Sequence, residues 1–335
     1  MTGASSVWAE ALWVAIGVGL VLYAISGGAD FGAGIWSLFA RGPRREQQRE
    51  AIHHALAPIW EANHVWLIFV IVVLFSAFPR AFAVLGVALH VPIGLSLVGI
   101  VLRGAAFSFH AYGIQADRSR ERWSWVFAGS SAITPFFLGL SVGGVSSGEI
   151  RVRAGVVTSG WFAGWTTPFA VLVGLFALAL FALLAACYLA AETDGELAAD
   201  FRRRALLLEL VAGLLAALVF LSARSGAPAL FRGLTGSAWS WPVQVLTAIS
   251  AIGAILALLR RRDRVARYAA ATQVALVVLG WGLAMDHHFV LPDVSTQNAG
   301  SRPEVLPALT LVLVVGSAVL APALYYLYRV FKLGR

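Results

Sequence analysis

The sequence is poor in cysteine, lysine and charge in general, and each shortage excludes a class of protein. The single cysteine, Cys187, lies within an apolar run, so neither a disulfide framework nor a cysteine-based metal site is available. Charged residues make up 13% of the 335 residues, against about 25% in soluble domains. This is too little polar material to cover a water-soluble body, so lipid must be the solvent for much of the surface.

The basic residues are not those of a nucleic-acid-binding face. Lys332 is the one lysine among 25 basic residues, and the arginines stand in short clusters between apolar runs. Such clusters are typical of loops that face the cytoplasm, so the expected partner is the lipid bilayer and not nucleic acid. The first ten residues lack the basic region of a cleavable signal peptide, and we expect the first apolar run to remain as a span.

Long apolar runs dominate the chain, which is 59% hydrophobic with a mean hydropathy of +0.81. A membrane-spanning helix needs about 20 mainly apolar residues. Nine runs meet that requirement: 8–27, 57–78, 82–107, 123–145, 165–189, 205–223, 239–259, 268–285 and 306–330. The sequence therefore predicts an all-α integral membrane protein with about nine transmembrane helices.

The distribution of basic residues tests both the number of spans and their orientation. With the N-terminus outside, the inward loops hold 18 basic residues and the outward loops hold 6, while Arg103 lies within a span. The excess persists through four alternations, which favours nine spans with the C-terminus in the cytoplasm. The loops are short, so we expect a single polytopic membrane domain over residues 1–335.

The second run carries an unusual concentration of polar side chains. Glu61 and His64 are spaced to share one helix face, as are Trp60, Asn63 and His64. An ionisable residue inside a span is costly and is a functional candidate by default. Two interpretations stay open: a proton relay or cofactor edge, or an interhelical knot of hydrogen bonds. Glu-x-x-His is also the ligand spacing of di-iron bundles, but the chain contains no second copy, so a di-iron site is not expected.

The first run ends in a segment with four glycines and one acid. Asp30 follows Gly27 and Gly28 and precedes Gly32 and Gly34. Closely spaced glycines permit either a close approach of two backbones or a broken helix end. Asp30 and Arg103 are both expected near the cytoplasmic edge of the membrane, where a structural ion pair is the favoured interpretation.

Two histidines are expected at similar depth in the membrane. A short hairpin through residues 78–80 joins the second and third spans, which places His90 near mid-membrane and close in depth to His64. The pair can be ligands, relay members or core residues.

Other polar residues near span ends have simpler interpretations. Asp286, His287 and His288 end the eighth span, where an interfacial polar cap is favoured over a metal site or a proton exit. Glu209 lies near the start of the sixth span and is expected to extend back to the interface.

Two ordered motifs carry a resemblance to a known family. They are Gly28-Ala29-Asp30-Phe31-Gly32-Ala33-Gly34 and, after an arginine-rich loop, Trp60-Glu61-Ala62-Asn63-His64-Val65-Trp66-Leu67, followed by Phe78-Pro79. The order resembles subunit II of the cytochrome bd-type quinol oxidases, whose second block is Trp-acid-Gly-Asn-(Gln or Glu)-Val-Trp-Leu before an aromatic-Pro turn. Gly28 stands where many members have a second acid, and Ala62 and His64 depart from the signature, as in a divergent branch.

The resemblance implies a fold and an assembly. The expected fold is two four-helix bundles, over residues 1–150 and 151–300, with a peripheral last helix over 301–335. The expected partner is a homologously folded subunit I in a bacterial cytoplasmic membrane. The expected complex serves aerobic respiration: it oxidises quinol, reduces dioxygen to water and generates proton motive force.

The resemblance also implies roles for individual residues. Glu61 is the expected proton relay, with Trp60, Asn63 and His64 as its supporting shell. Asp30 and Arg103 form the expected polar pair on the cytoplasmic side. No cofactor is expected in this chain, because haems b and d belong to subunit I. A bound quinone and a small accessory subunit are left open.

Three competing interpretations make different predictions. A proton-coupled secondary transporter would use Glu61 and Asp30 as coupling acids and would work without haem. A purely structural partner subunit would lose assembly, and not rate, when Glu61 is neutralised. A self-contained metalloenzyme would use His64, His90 and Glu61, with Asp30 as a further ligand, and would hold metal when isolated.

Overall fold

The computed structural model describes residues 3–56, 60–112 and 117–330, and within these ranges the chain is almost entirely helical. The helices are α1 Gly3–Leu38, α2 Arg45–Leu56, α3 Trp60–Ala77, α4 Pro79–Ala88, α5 His90–Tyr112, α6 Asp117–Ser147, α7 Pro168–Glu192, α8 Gly195–Gly226, α9 Pro228–Gly236, α10 Ser240–Leu259, α11 Asp263–Ala284, α12 Thr296–Ala299 and α13 Val305–Tyr328. Two short hairpins pair β1 Val152–Arg153 with β2 Val156–Val157, and β3 His288–Val290 with β4 Val294–Ser295.

The predicted fold class is confirmed. In the described part of the chain, eight helices are long and apolar enough to cross a membrane: α1, α5, α6, α7, α8, α10, α11 and α13. Helices α3 and α4 meet the same requirement when taken together as a bent pair, and this pair makes the ninth candidate. Each of the nine expected spans therefore has a helical counterpart.

The helices pack as two groups joined by α1 and by the packing of α6 on α7. In the first group α1 packs on α3 and α6, and α5 packs on α6; in the second group α7 packs on α8 and α11, and α10 packs on α11. Helix α1 also contacts α7 and α11, so its residues lie where the groups meet. Helix α13 touches α1 and α3 and is otherwise exposed.

Helix α1 extends to Leu38, well beyond the expected limit of residue 27. Glycines in its last part allow neighbouring helices to pack closely against it. A Cβ atom on Gly32 would overlap the backbone carbonyl of Phe181 in α7, and one on Gly34 would overlap the hydroxyl of Ser131 in α6. The helix needs glycine at both positions because its neighbours lie directly against its backbone. The alternative of a broken helix end at this point is wrong.

The connection after α3 corrects the predicted third span. Helices α3 and α4 meet at Phe78 with a bend of 117°, and Phe78 itself is not helical (φ −132°, ψ 59°). Pro79 opens α4, and a proline there cannot continue the hydrogen-bond ladder of the preceding helix. Helix α4 is thus a separate short segment, and the crossing begins at His90 instead of at residue 82.

The two ends of the helical body differ in chemistry. At the arginine-rich end α1, α5, α7 and α10 finish, and α2, α6, α8 and α11 begin. At the hairpin end the two β-hairpins, α4, α9 and α12 cover the other termini. On the sides between the ends, large apolar residues are exposed, including Ile71, Phe75, Leu97 and Val101. Such sides suit contact with lipid or with another membrane subunit.

Candidate functional site

A buried ion pair joins α1 to α5 in the first helix group. Arg103 Nη1 donates to Asp30 Oδ2 at 2.8 Å, and Nη2 donates to Oδ1 at 2.6 Å and to the backbone carbonyl of Asp30 at 3.2 Å. Each residue is 2% exposed. Two parallel bonds between a guanidinium and a carboxylate fix geometry as well as charge, so the pair sets the position of α1 relative to α5.

The remaining faces of Arg103 are also occupied. Its Nε donates to Ser131 Oγ on α6 at 3.0 Å. The rings of Phe31 and Phe127 each lie 5.0 Å from the guanidinium carbon, which is within the range of a cation–π contact. Three helices therefore converge on one arginine. Sequence reasoning named Asp30 and Arg103 but missed Ser131 and the two phenylalanines, and the Ser130-Ser131 pair within an apolar run was the available signal.

The polar turn of α3 lies next to this ion pair. Asn63 is buried, and the His64 ring packs edge-on against Tyr23 and Phe31 of α1, with ring centroids 6.1 and 5.9 Å apart. Phe31 thus touches both His64 and Arg103. The structure brings Asp30, Arg103 and His64 to one place, around the half of α1 that is nearer the arginine-rich end.

Trp60 and Glu61 are the first two residues of α3, and their side chains lie outside the described part of the structure. The helix begins at the arginine-rich end, so Glu61 starts one turn closer to that end than His64. The i, i+3 spacing places both on one helix face. The relay role of Glu61 and the supporting role of Trp60 remain predictions.

The predicted depth of His90 is wrong. His90 is the exposed first residue of α5, at the hairpin end, and its ring lies 5.3 Å from that of Trp161. His64 lies 13 residues before the other end of α3, which is about 20 Å along the helix axis. The two histidines are separated because α4 intervenes between the crossings, and they do not form a pair.

The histidines after α11 form a turn at the hairpin end. His288 Nδ1 lies 2.7 Å from the carbonyl oxygen of Asp286 and 3.1 Å from that of Met285, and the His287 ring contacts Trp13. This geometry agrees with a polar cap. Among the side chains that the structure describes, no group of three or more His, Cys, Asp or Glu residues is placed to hold a metal ion.

A second buried acid lies in the other helix group, and its predicted exposure is wrong. Glu209 on α8 is 3% exposed and accepts a 3.3 Å hydrogen bond from Gln273 Nε2 on α11. Among the described residues, neither Glu209 Oε1 nor Gln273 Oε1 has a hydrogen-bond partner. Glu209 faces α11 and therefore does not reach the interface. Gln273 was missed, although a glutamine within an apolar run was a usable signal.

Two ion pairs lie at the arginine-rich end: one connects the two helix groups, and the other joins α8 to α11 within the second group. Arg44 donates to both oxygens of Asp200 at 2.8 Å, and Arg202 donates to both oxygens of Asp263 at 2.9 and 2.7 Å. The hydrogen bond to Asp200 raises the pKa of Arg44 above its ordinary value. The pair of Arg44 with Asp200 holds the loop after α1 against α8.

These features define a class: a polytopic helical membrane protein whose first helix group encloses an acid–arginine pair next to a polar helix turn. The sequence profile of cytochrome bd terminal oxidase subunit II matches residues 8–331. Because that match covers nearly all of the sequence, the chain belongs to the cytochrome bd terminal oxidase subunit II family, as the two motifs indicated.

Individual relatives agree with this placement. The chain is 24% identical over 324 residues to the putative cytochrome bd menaquinol oxidase subunit II of Bacillus subtilis, covering 92% of this chain and 91% of that protein. It is 27% identical over 316 residues to the cytochrome bd-I ubiquinol oxidase subunit 2 of Escherichia coli, covering 86% and 82%. The fold matches the structure of bd oxidase from Geobacillus thermodenitrificans with a TM-score of 0.81 and 23% identity over the whole of both chains.

Proposed function

We propose that this chain is the haem-free subunit II of a bd-type quinol:oxygen oxidoreductase. In this role it supports a haem-bearing subunit I and conducts protons toward the site of dioxygen reduction. The family match over residues 8–331 carries the proposal. The buried polar site in the first helix group adds chemical support, because ionisable groups inside a membrane mark functional pathways.

We assign different roles to the two acids of the site. Both carboxylate oxygens of Asp30 already accept hydrogen bonds from Arg103. Asp30 and Arg103 therefore act as a positioning pair that fixes α1, α5 and α6. Glu61 is the carrier in this proposal, since it lies at the start of α3, one helix turn before the His64 that packs against the same cluster.

The arginine-rich end is assigned to the cytoplasm, with the N-terminus outside. The support is the excess of arginine in the loops at this end, as the positive-inside rule requires. Glu61 then lies near the cytoplasmic side and accepts protons from there. Passage along α3 takes the proton from water toward the interior of the complex.

Membership of the family supports a proposal for the partner and its cofactors. Haems b and d are assigned to subunit I, which would bring the electron-transfer chemistry, and this chain would contribute helices, polar groups and a proton entry. The names of the two relatives specify menaquinol in one case and ubiquinol in the other. The substrate is therefore assigned only as a quinol.

The test is co-purification followed by spectroscopy. This chain would be expressed with its neighbouring large subunit, purified through a tag on this chain, and examined by its reduced-minus-oxidised spectrum. Haem b and d bands in the two-chain complex, absent from this chain alone, are the expected result. A chain that purifies alone, stable and unassociated with any haem protein, would overturn the proposal in favour of the transporter.

A further inference from the structure

A cavity of about 370 Å³ opens at the arginine-rich end, between the end of α1, α2, the end of α5 and the start of α6. Its volume is in the range of small-molecule sites, which is about 300–1,000 Å³. The lining combines two kinds of surface. One wall is basic and the other is apolar and aromatic, with these residues among them: Arg41, Arg45, Arg49, Phe107, Trp125 and Phe127.

The basic wall has more positive charge than its neighbours neutralise. Among the described side chains, neither Arg41 nor Arg45 has a carboxylate within 4.0 Å, and Arg49 is 3.9 Å from Glu46, whose side chain is 84% exposed. Arg44, by contrast, turns away from this cavity toward Asp200. Arg45 and Arg49 are four residues apart on α2 and so share one face. The cavity is therefore suited to an anionic group.

The apolar wall restricts what that anion can be. Trp125 is 58% exposed beside the cavity, and Phe107 and Trp125 offer ring surfaces at the level where a membrane meets water. Helix α2 lies against the body through the fully buried Ile52, and Arg45 and Arg49 stand on the same face of the helix in the two preceding turns. A soluble anion would contact the basic wall alone, whereas a lipid would contact the basic wall with its head group and the exposed Trp125 with an acyl chain.

We propose that this cavity binds one anionic phospholipid. Its phosphate would contact Arg41, Arg45 and Arg49, since arginine guanidinium groups form paired hydrogen bonds to phosphate oxygens. The upper part of an acyl chain would lie on Phe107 and Trp125. Basic pockets between transmembrane helices on the cytoplasmic side are typical sites for acidic lipid head groups. The proposal is independent of the oxidase role and concerns a different part of α1.

The test uses Trp125 as the reporter. The intact complex, or the chain as it purifies, would be titrated in detergent with phosphatidylglycerol carrying brominated acyl chains, which quench tryptophan on contact. The Trp125 signal is the difference between the wild-type protein and Trp125→Phe. Brominated phosphatidylcholine and inorganic phosphate would be titrated in parallel, because they separate lipid charge from free anion binding.

Charge variants then locate the head group. Arg45→Gln with Arg49→Gln is expected to weaken phosphatidylglycerol binding by about 30-fold, from two surface arginines lost. The double variant Arg45→Lys with Arg49→Lys keeps the charge and is expected to lose much less affinity for phosphatidylglycerol. It also shows that weaker binding by the glutamine variant does not result from misfolding. The matched control is Arg260→Gln with Arg264→Gln, two exposed arginines at the same end but outside the cavity, and it should bind as the wild type does.

Each other outcome overturns the proposal. If the double variant Arg45→Gln with Arg49→Gln is quenched as strongly as the wild type, these arginines do not bind the head group. Equal quenching by phosphatidylcholine would mean a nonspecific lipid contact. Displacement of the brominated lipid by inorganic phosphate at comparable concentration would identify a free-anion site instead of a lipid site.

Discussion

Arg103 holds both carboxylate oxygens of Asp30, at 2.8 and 2.6 Å, in a place where water reaches neither side chain. Taking two charges out of water is costly, and their attraction offsets the cost only if the geometry is good and the other donors are satisfied. Here Ser131 and two aromatic rings complete the surroundings of the guanidinium. These contacts explain how a membrane span accommodates an arginine.

Removal of one partner of this pair is expected to be far more harmful than removal of both. Arg103→Gln leaves the Asp30 charge buried without its counter-ion and should destabilise the folded chain by about 3–5 kcal/mol. Asp30→Asn combined with Arg103→Gln should recover much of that loss, because two neutral amides can bond to each other. Thermal unfolding of the purified protein measures both.

The matched control for the buried pair is Arg151→Gln. This residue pairs with Asp293 through bonds of 2.8 and 3.0 Å, but its side chain is 56% exposed. An exposed pair contributes about 0–1 kcal/mol, so the control should unfold close to the wild type. A double variant no more stable than Arg103→Gln alone would contradict the positioning role.

Glu61→Gln tests the proton relay. The substitution keeps size and hydrogen-bonding capacity but cannot exchange a proton, so dioxygen reduction by the complex should slow by about tenfold or more, as for the loss of a proton-transfer group. Assembly and haem content should be unchanged. Glu50→Gln is the control, since Glu50 is exposed on α2 at the same end, and it should turn over normally.

The structural-partner interpretation predicts the opposite pattern for the same variant. Under it, Glu61→Gln would reduce the yield of complex while the assembled fraction kept its full rate. Oxygen consumption per haem, compared with haem recovered per milligram of this chain, distinguishes the two. Full turnover in a fully assembled variant removes Glu61 from the path.

Gly32→Ala should disturb the junction between the helix groups. The added methyl would overlap the backbone carbonyl of Phe181, and a backbone atom cannot move aside as a flexible side chain can. We expect a loss of about 1–3 kcal/mol in stability from overpacking. Gly17→Ala on the same helix has open space around its Cβ position, so it should be neutral or slightly stabilising. Equal melting temperatures for the two variants would contradict the close approach.

Glu209→Gln and Glu209→Ala should differ although neither carries charge. A glutamine can still exchange hydrogen bonds with Gln273, whereas alanine leaves that buried amide without its partner at a cost of about 1–3 kcal/mol. We therefore expect wild-type-like unfolding for the first variant and a lower unfolding temperature for the second. If both melt alike, the contact between α8 and α11 contributes little.

The sequence predicts the nine crossings correctly because a membrane span requires about 20 mainly apolar residues, and such a run can be recognised from composition alone. The prediction failed where apolar residues continue through a change of direction. Helix α4 is as apolar as a crossing, so hydropathy merged it with α5, and the 117° bend at Phe78 was lost. The apolar run predicts a first span that ends at residue 27, and the glycines after it are compatible with either a close approach of backbones or a broken helix end. In the structure the helix continues to Leu38, and Gly32 and Gly34 pack against α7 and α6.

The sequence predicts the charged residues of the candidate site but not the side chains that surround them. Asp30 and Arg103 were identified because each is costly in an apolar run and they complement one another. The contribution of Ser131 and Phe127 depends on the register between α5 and α6, which no local pattern specifies. Likewise, Glu209 faces α11 only because α8 and α11 pack side by side, and a helix taken alone cannot show that.

The contacts between the two helix groups limit the large-scale motions that this protein can make. Arg44 binds Asp200 at one end of the body, and Trp281 of α11 donates to Ser146 of α6 near the other. Carriers that work by alternating access rock one half against the other about a central site. Because the two helix groups are hydrogen-bonded to each other near both ends, they resist that rocking. Movement of a proton along side chains and water requires no such displacement. The contacts between the groups therefore favour a fixed proton path over alternating access.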